Sequence, residues 1–539
     1  MNRRRLILMA AGGVVAAIVV AACGYWLSGA SAPSKYADAH RAPKIRPDYT
    51  NITIPPNIAP MNFLVDEPGS RYFVRIYGPN GRGIDISASG HDIDIPMGQW
   101  RTLLAANRGG HISIDVYAQG EDGRWLRFDT VTNTVAPEDI DNHLVYRLVF
   151  PGVHNWADLG LYQRDLENFE ESKILHSLSI ETSCCNCHSF HRNDPNTMLF
   201  HVRQGPIFPG SGMLVWRDGE VAKIDTRTSV NPSPVAYSSW HPSGRLVAFS
   251  VNKIKLFTHS IGWDLRDQLD YTSDLCVYDL EARKLVFPPK ISLPDKLETF
   301  PCWSPDGKYL YFSRADMRWN KDIDYVPADQ YKSVLYSLMR ISYDAATNTW
   351  GEVEMVLPAE KVPKVSASPD APPDQGFGRS VLEPKVSPDG RFILLAVVDY
   401  GNVPIFQRNS DLYMYDLATG RHWYPSCNSD ECDSWHCWSS NGRWIVFSSR
   451  RGNGQFARPH FSYIDADGKD SKAFILPQKE PDFYDTFLKT YNIPELVTGP
   501  VTVKEDELIQ ALEKEDPSQK AIPVTGATHK ASTSAPADQ

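Results

Sequence analysis

Apolar and polar residues alternate with a period of two in short runs along most of this chain, which is the pattern of half-buried β-strands. Between residues 52 and 150 such runs occupy 72–77, 112–117 and 144–149, separated by turn formers such as Pro79-Asn80-Gly81 and Glu121-Asp122-Gly123. The spacing predicts a β-sandwich of immunoglobulin or fibronectin type over residues 51–150. Farther along, one phrase returns: a turn, then an aliphatic strand. It reads Trp240-His241-Pro242-Ser243-Gly244, Trp303-Ser304-Pro305-Asp306-Gly307, Val386-Ser387-Pro388-Asp389-Gly390 and Trp438-Ser439-Ser440-Asn441-Gly442. Aligning backwards adds Asn193-Asp194-Pro195-Asn196 with the strand Met198-Leu199-Phe200-His201 and a second strand Met213-Leu214-Val215-Trp216. Recurrence at long, uneven intervals with strands in every unit predicts a β-propeller of about six blades over residues 199–500. A short charged helix is expected from Lys504 to Glu515, and a disordered tail rich in Ala, Ser, Thr and Pro ends the stretch 501–539.

The fold class is therefore all-β, behind an N-terminal membrane anchor. Arg3, Arg4 and Arg5 precede an uncharged apolar run from residue 6 to 27. A basic flank and about 20 apolar residues mark residues 1–30 as a signal anchor or a lipoprotein signal. Val20-Ala21-Ala22-Cys23-Gly24 has the look of a lipobox, whereas Tyr25, Trp26 and Leu27 prolong the run as in an uncleaved anchor. Either reading attaches the chain to a bacterial membrane, facing the periplasm, with residues 31–50 as linker. Composition adds one exclusion: the formal net charge is -10, with no basic block beyond the N-terminus, so nucleic acid is not an expected partner.

Residues 151–198 form a connector that carries the chemistry. Cys184-Cys185-Asn186-Cys187-His188 contains C-x-x-C-H, the attachment pattern of c-type haem. One helical turn between two thiols lets each bond a vinyl group, while the adjacent imidazole serves as proximal ligand. A chance match is expected in on the order of 0.4% of chains of this composition. The reading assigns Cys184 and Cys187 to covalent haem binding and His188 to the iron. His201 is the first distal candidate, since it stands where other repeats hold Ser250, Ser313 and Ser448. Met198 is the second, although it aligns with the core positions Val247, Leu310 and Ile445; His191 lies too near His188. Zinc is the alternative occupant, with Cys185 and His191 as further ligands, but a second ligand couple is missing. A structural role for the cysteines is the plain alternative. Cys427 and Cys432, five apart in a loop, are either disulfide partners or separate thiols, and Asp274, Asp279, Asp411 and Asp416 are placed to cap strand ends. No G-x-S-x-G elbow is present, so hydrolysis has no support and an enzyme is less expected than an electron-transfer or binding protein.

The W-S-P-D-G turn followed by an aliphatic strand ending in Phe-Ser resembles the repeat of TolB-like propellers. Tyr162-Gln163-Arg164-Asp165-Leu166, then Asn186-Cys187-His188-Ser189-Phe190, then Met198-Leu199-Phe200-His201-Val202-Arg203 resembles a bacterial TolB-like, cytochrome-c-associated family over residues 50–500. The family tends to read Arg-Gly-x-x-Gly-Gly after that strand, whereas this chain has Arg203-Gln204-Gly205-Pro206-Ile207. The resemblance implies a membrane-tethered protein with one covalent haem and a propeller that docks an envelope protein or redox partner. Its alternative is a scaffold in which haem or zinc is purely structural.

Overall fold

The computed structural model describes residues 32–150, 158–203, 212–228, 235–258, 266–320, 326, 328–364, 376–514 and 520–524. The apolar run at 6–27 and residues 525–539 of the tail lie outside them. Among the described residues no helix is long and apolar enough to cross a membrane.

Two units divide the chain. Among the described residues the smaller comprises 32–51, Pro60–Pro137 and Pro477–Phe483. Its central strand, His111–Gln119, pairs antiparallel with Arg71–Tyr77 on one edge, and with Trp125–Arg127 and Val131–Val135 on the other. A second sheet joins Ile45–Arg46, Phe63–Val65 and Asp92–Ile93. The period-two reading passes over an α-helix at Met97–Ala106, which buries Trp100, Leu103 and Leu104. Those three share one helical face at spacings of three and four.

The larger unit is propeller-like: sets of four antiparallel strands follow one another along the chain. The first contains Cys184–Phe190, Met198–Arg203, Gly212–Arg217 and Glu220–Ile224. The second contains Val235–Trp240, Leu246–Thr258, Arg266–Asp279 and Lys284–Val286, with Ile522–Pro523 on its edge; the third, Lys296–Trp303, Tyr309–Asp316, Ser337–Asp344 and Thr349–Leu357, is joined to it by one parallel pairing, Ser273 with Leu297, so that the two run on as one nine-stranded sheet. Ser380–Val386, Phe392–Val398, Asp411–Asp416 and His422–Trp423 make the fourth, and Asp433–Trp438, Trp444–Ser449, Arg458–Tyr463 and Phe474–Ile475 the fifth. The sixth is assembled from both ends of the unit. Thr490–Val497 pairs with His143–Val149, which continues into Gly160–Asp165 and Glu171–His176. Residues 144–149, read from the sequence with the domain at 51–150, thus hydrogen-bond to a strand more than 300 positions later.

The repeated phrase has one physical logic. Ser304 Oγ donates to Asp306 Oδ1 at 2.6 Å, Asp306 accepts from Lys308 N, and Tyr309 N donates back to Ser304 Oγ. Ser387 with Asp389, and Ser439 with Asn441, repeat the arrangement. Gly307 closes the turn at φ +72°, where a Cβ would stand 2.4 Å from His241 Nε2, so only glycine fits. Two of the repeat tryptophans then tie sheet to sheet. Trp240 Nε1 donates to Ser189 O in the first sheet, and Trp438 Nε1 to the equivalent Lys385 O in the fourth.

Apolar residues of facing sheets fill the space between them. Leu199, Met213, Val247 and Phe249 join the first and second sheets, and Leu394, Met414, Ile445 and Phe447 the fourth and fifth. Asp279 and Asp416 cap turns, accepting from the amides of Ala282 and Ala418 at 2.9 Å. Asp411 instead pairs with the buried Arg379 at 2.6 Å. Of the two alternatives for Cys427 and Cys432 the structure has separate buried thiols, with Cys432 Sγ 3.5 Å from Pro404 O. The helix Glu505–Glu513 buries Leu508 and Leu512 against the cluster holding Cys184 and Cys185.

Candidate functional site: the inner-strand cavity

Every first strand of the six sheets carries the same defect. The ladder skips between Asn186 and Ser189, Ala236 and Ser239, Thr299 and Cys302, Leu382 and Lys385, and Ser434 and Cys437; in the sixth sheet it skips between Val145 and Arg147 of the partner strand. At each skip one non-glycine residue lies near φ +50°: Cys187, Tyr237, Phe300, Glu383, Trp435 and Ile493. A left-handed conformation costs an L-residue roughly 1 kcal/mol, so its recurrence at equivalent places marks a built β-bulge that bends each strand. The six bulge residues all line one cavity, together with the residues that follow them: His188, Ser238, Pro301, Pro384, His436 and Pro494. Its volume is about 50 Å³, room for roughly three to five water molecules.

The C-x-x-C-H segment is therefore an extended inner strand with a bulge, and not the helical turn that its spacing suggests. Cys184 and Cys185 face the core between the first and sixth sheets, among Leu175, Met198 and Val497. Burial pushes their thiols up to about 11 and about 12, so both stay protonated. Cys187 and His188 turn to the cavity instead. Burial, with help from the cations Arg147 and Lys385, holds His188 down to about 3. The imidazole is neutral at physiological pH, and its Nε2 is buried without a hydrogen-bond partner.

The other candidates point elsewhere. Met198 packs with Phe200 and Val202 on the core face shared with Cys184. His201 lies on the opposite face, where Nε2 is 3.2 Å from Ser238 Oγ and the ring meets Phe249 edge-on. His191 holds Pro242 O through Nε2 at 3.1 Å, and its ring lies tilted against Trp240. Among the described residues no three His, Cys, Asp or Glu side chains gather closely enough to hold a metal ion.

The cavity contains polar groups that motif reading passes over. Glu383 accepts from Trp435 N at 2.8 Å through Oε2, while its Oε1 has no partner; burial pushes it up to about 8. Glu495 accepts from Phe190 N and rises to about 7, with Lys385 opposing the shift. His436, equivalent to His188 in the fifth sheet, is 2.8 Å from Leu394 O through Nε2, and its Nδ1 is unpaired. The repeat Trp marks three of the bulges, standing three places after Tyr237, Phe300 and Trp435, but no such signal points to Glu383, which precedes Val386, or to Glu495.

For covalent haem the donor types are present, with the neutral His188 Nε2 free of a partner and Cys187 on the same cavity, but Cys184 faces the core on the other side. The cavity as folded takes water-sized occupants and not the macrocycle.

No family model matches this chain, and no curated protein matches it. Similar solved structures include a nidogen/laminin complex chain, 11% identical over 66% of this chain and 99% of that one, with a TM-score of 0.35. The Cps50 (Swd1) β-propeller domain of Myceliophteria thermophila is 12% identical over 54% and 72%, at 0.30. An oligogalacturonate lyase from Vibrio parahaemolyticus is 10% identical over 58% and 85%, also at 0.30. These likenesses reach no further than overall architecture, and the propeller-like arrangement of the larger unit rests on its own sheet order.

Proposed function

We propose that the six sheets are six blades of a TolB-like propeller and that the chain is a membrane-tethered, periplasm-facing monohaem c-type cytochrome. Residues 1–30 supply the anchor, Cys184 and Cys187 the thioether sulfurs, and His188 the proximal ligand. The observation that supports this best is the His188 Nε2, buried, neutral and unpaired beside Cys187 inside a C-x-x-C-H motif. A bound haem supplies one-electron chemistry, for electron transfer or redox sensing, while the propeller docks a redox partner or another envelope protein. His201 is the distal ligand in this reading, with Met198 second; either requires a rearrangement of its present packing.

Haem staining of the full chain after denaturing electrophoresis tests the proposal. Stain should survive in the wild type and in Cys185→Ala, and weaken in Cys184→Ala and Cys187→Ala. In a reduced-minus-oxidised spectrum His201→Ala should turn a low-spin signal high-spin. An unstained wild type overturns the haem.

A second reading has its own support in the size of the cavity and the extended backbone at Cys184. In it the propeller is a non-enzymatic binding or scaffold protein, and its cysteines are structural, with haem or zinc at most a structural adjunct. An unstained, stably folded wild type without bound iron or zinc is what this reading predicts.

A further inference from the structure

The cavity holds more chemistry than Cys187 and His188 use. Glu383, on Ser380–Val386, is 4% exposed, and its Oε2 accepts from Trp435 N at 2.8 Å, which fixes the carboxyl against the strand Asp433–Trp438. Its Oε1 has no partner. Next to Trp435, His436 lies 2.8 Å from Leu394 O through Nε2. A carbonyl only accepts, so Nε2 carries the proton and the unpaired Nδ1 presents a lone pair. Beside both stands an aromatic wall. The centroids of the Tyr237 and Phe300 rings are 4.3 Å apart, and that of Trp435 is 5.9 Å from the first and 6.1 Å from the second. Trp435 Nε1 is a buried donor without an acceptor. All five residues line the one cavity.

Two free acceptors, one free donor and an aromatic wall ask for a ligand that donates at one end and accepts at the other. A carboxylate buried with an unpaired oxygen persists either protonated or against a cation. Lys385 is on the same wall but couples more strongly to Glu495 than to Glu383. A metal ion would need its donors to converge at about 2.0–2.6 Å, and among the described residues no three His, Cys, Asp or Glu side chains do so. An ammonium group tolerates a wider spread, because N–H donors reach acceptors at about 2.7–3.2 Å and a cation is attracted to ring faces within about 6 Å. The volume of about 50 Å³ limits the ligand to roughly four non-hydrogen atoms.

We propose that this cavity binds a small primary amino alcohol of ethanolamine size: its ammonium donates to Glu383 Oε1 and His436 Nδ1, and its hydroxyl accepts from Trp435 Nε1. Tyr237 and Phe300 flank the two carbons. The inference stands apart from the haem reading, which takes Cys187 and His188 from the same wall.

Ligand-observed NMR titration of the detergent-purified full chain tests this, with ethanolamine hydrochloride as probe and ethylammonium chloride and ethylene glycol as comparisons. Ethanolamine should bind saturably at about 1 mM, as befits so few atoms. Ethylammonium, which lacks the hydroxyl, should bind about fivefold more weakly, and ethylene glycol, which lacks the charge, should show no saturation. Glu383→Gln keeps an oxygen for the Trp435 amide and should weaken ethanolamine roughly tenfold or more, whereas Trp435→Phe should bring ethanolamine and ethylammonium to the same affinity. Absence of saturable ethanolamine binding overturns the site, and so does ethylene glycol binding as tightly. Equal affinity of the wild type for ethanolamine and ethylammonium removes the amino-alcohol class. A Glu383→Gln protein that folds and binds like the wild type also overturns the assignment; if that variant fails to fold, the comparison of the three ligands on the wild type still decides. Haem staining of the same preparation scores the haem reading separately.

Discussion

His436 shows how one buried side chain couples the cavity to pH. It is 3% exposed, keeps its proton-bearing nitrogen on Leu394 O, and is held down to about 3 by burial. The unfolded chain takes up a proton near pH 6.5 while the folded one does not, so folding stability is present above that pH and lost as the pH falls towards 3. The slope is at most about 1.4 kcal/mol per pH unit. His436→Gln should flatten the loss between pH 6 and 4 by up to that amount, measured by urea unfolding at fixed pH. An unchanged slope would mean that this imidazole is charged in the folded protein. Glu383 and Glu495 act with opposite sign: their raised values favour the folded state at low pH, an advantage lost as the pH climbs from about 4 to 7 or 8.

At the scale of elements, the sixth sheet is the one whose strands the chain does not deliver in order. His143–Val149 is central in it, with Thr490–Val497 on one side and Gly160–Asp165 on the other. Val145, fully buried, stands opposite both Gln163 and Glu495. Proline there removes a ladder donor in a central strand, so Val145→Pro should cost about 3 kcal/mol or more and open the join first. Limited proteolysis should then cut within residues 143–176 before any other sheet. First cuts in the third or fourth sheet would show that closure is not the weak point. The repeat turns were legible because each Ser-x-Asp-Gly copy is a local hydrogen-bonded unit. The bulges were not, because a left-handed Cys, Glu or Trp has no residue signature; tertiary context imposes it on whatever side chain stands there. The helix Met97–Ala106 was missed for a related reason: its burial is confined to three residues.

For the whole molecule, the basic flank and apolar run at the N-terminus set the expected address. A full-length protein should sediment with membranes and need detergent for release, and labelling of Cys23 with a palmitate analogue separates a lipoprotein from a helical anchor. Recovery in the soluble cytoplasmic fraction without detergent would remove both versions. The address matters to the chemistry, because buried thiols such as Cys184 and Cys185, protonated as folded, are poor nucleophiles. In the proposed haem reading, attachment to Cys184 therefore precedes the packing of the inner strand.

By itself the sequence determined the strand-rich class, the repeated turn-and-strand unit and the core role of Met198, because alternation and turn chemistry are local properties of neighbouring residues. It also named the C-x-x-C-H residues, since spacing is written in the chain. Only the tertiary structure decided that this spacing lies on a bulged strand, that Cys184 and Cys187 face different surroundings, and that His201 looks to Ser238. It likewise brought Glu383, His436 and Glu495 to one cavity. The physical reason is that which side of a strand meets which neighbour depends on register and on the closure of sheets far apart in sequence, and no local pattern encodes either.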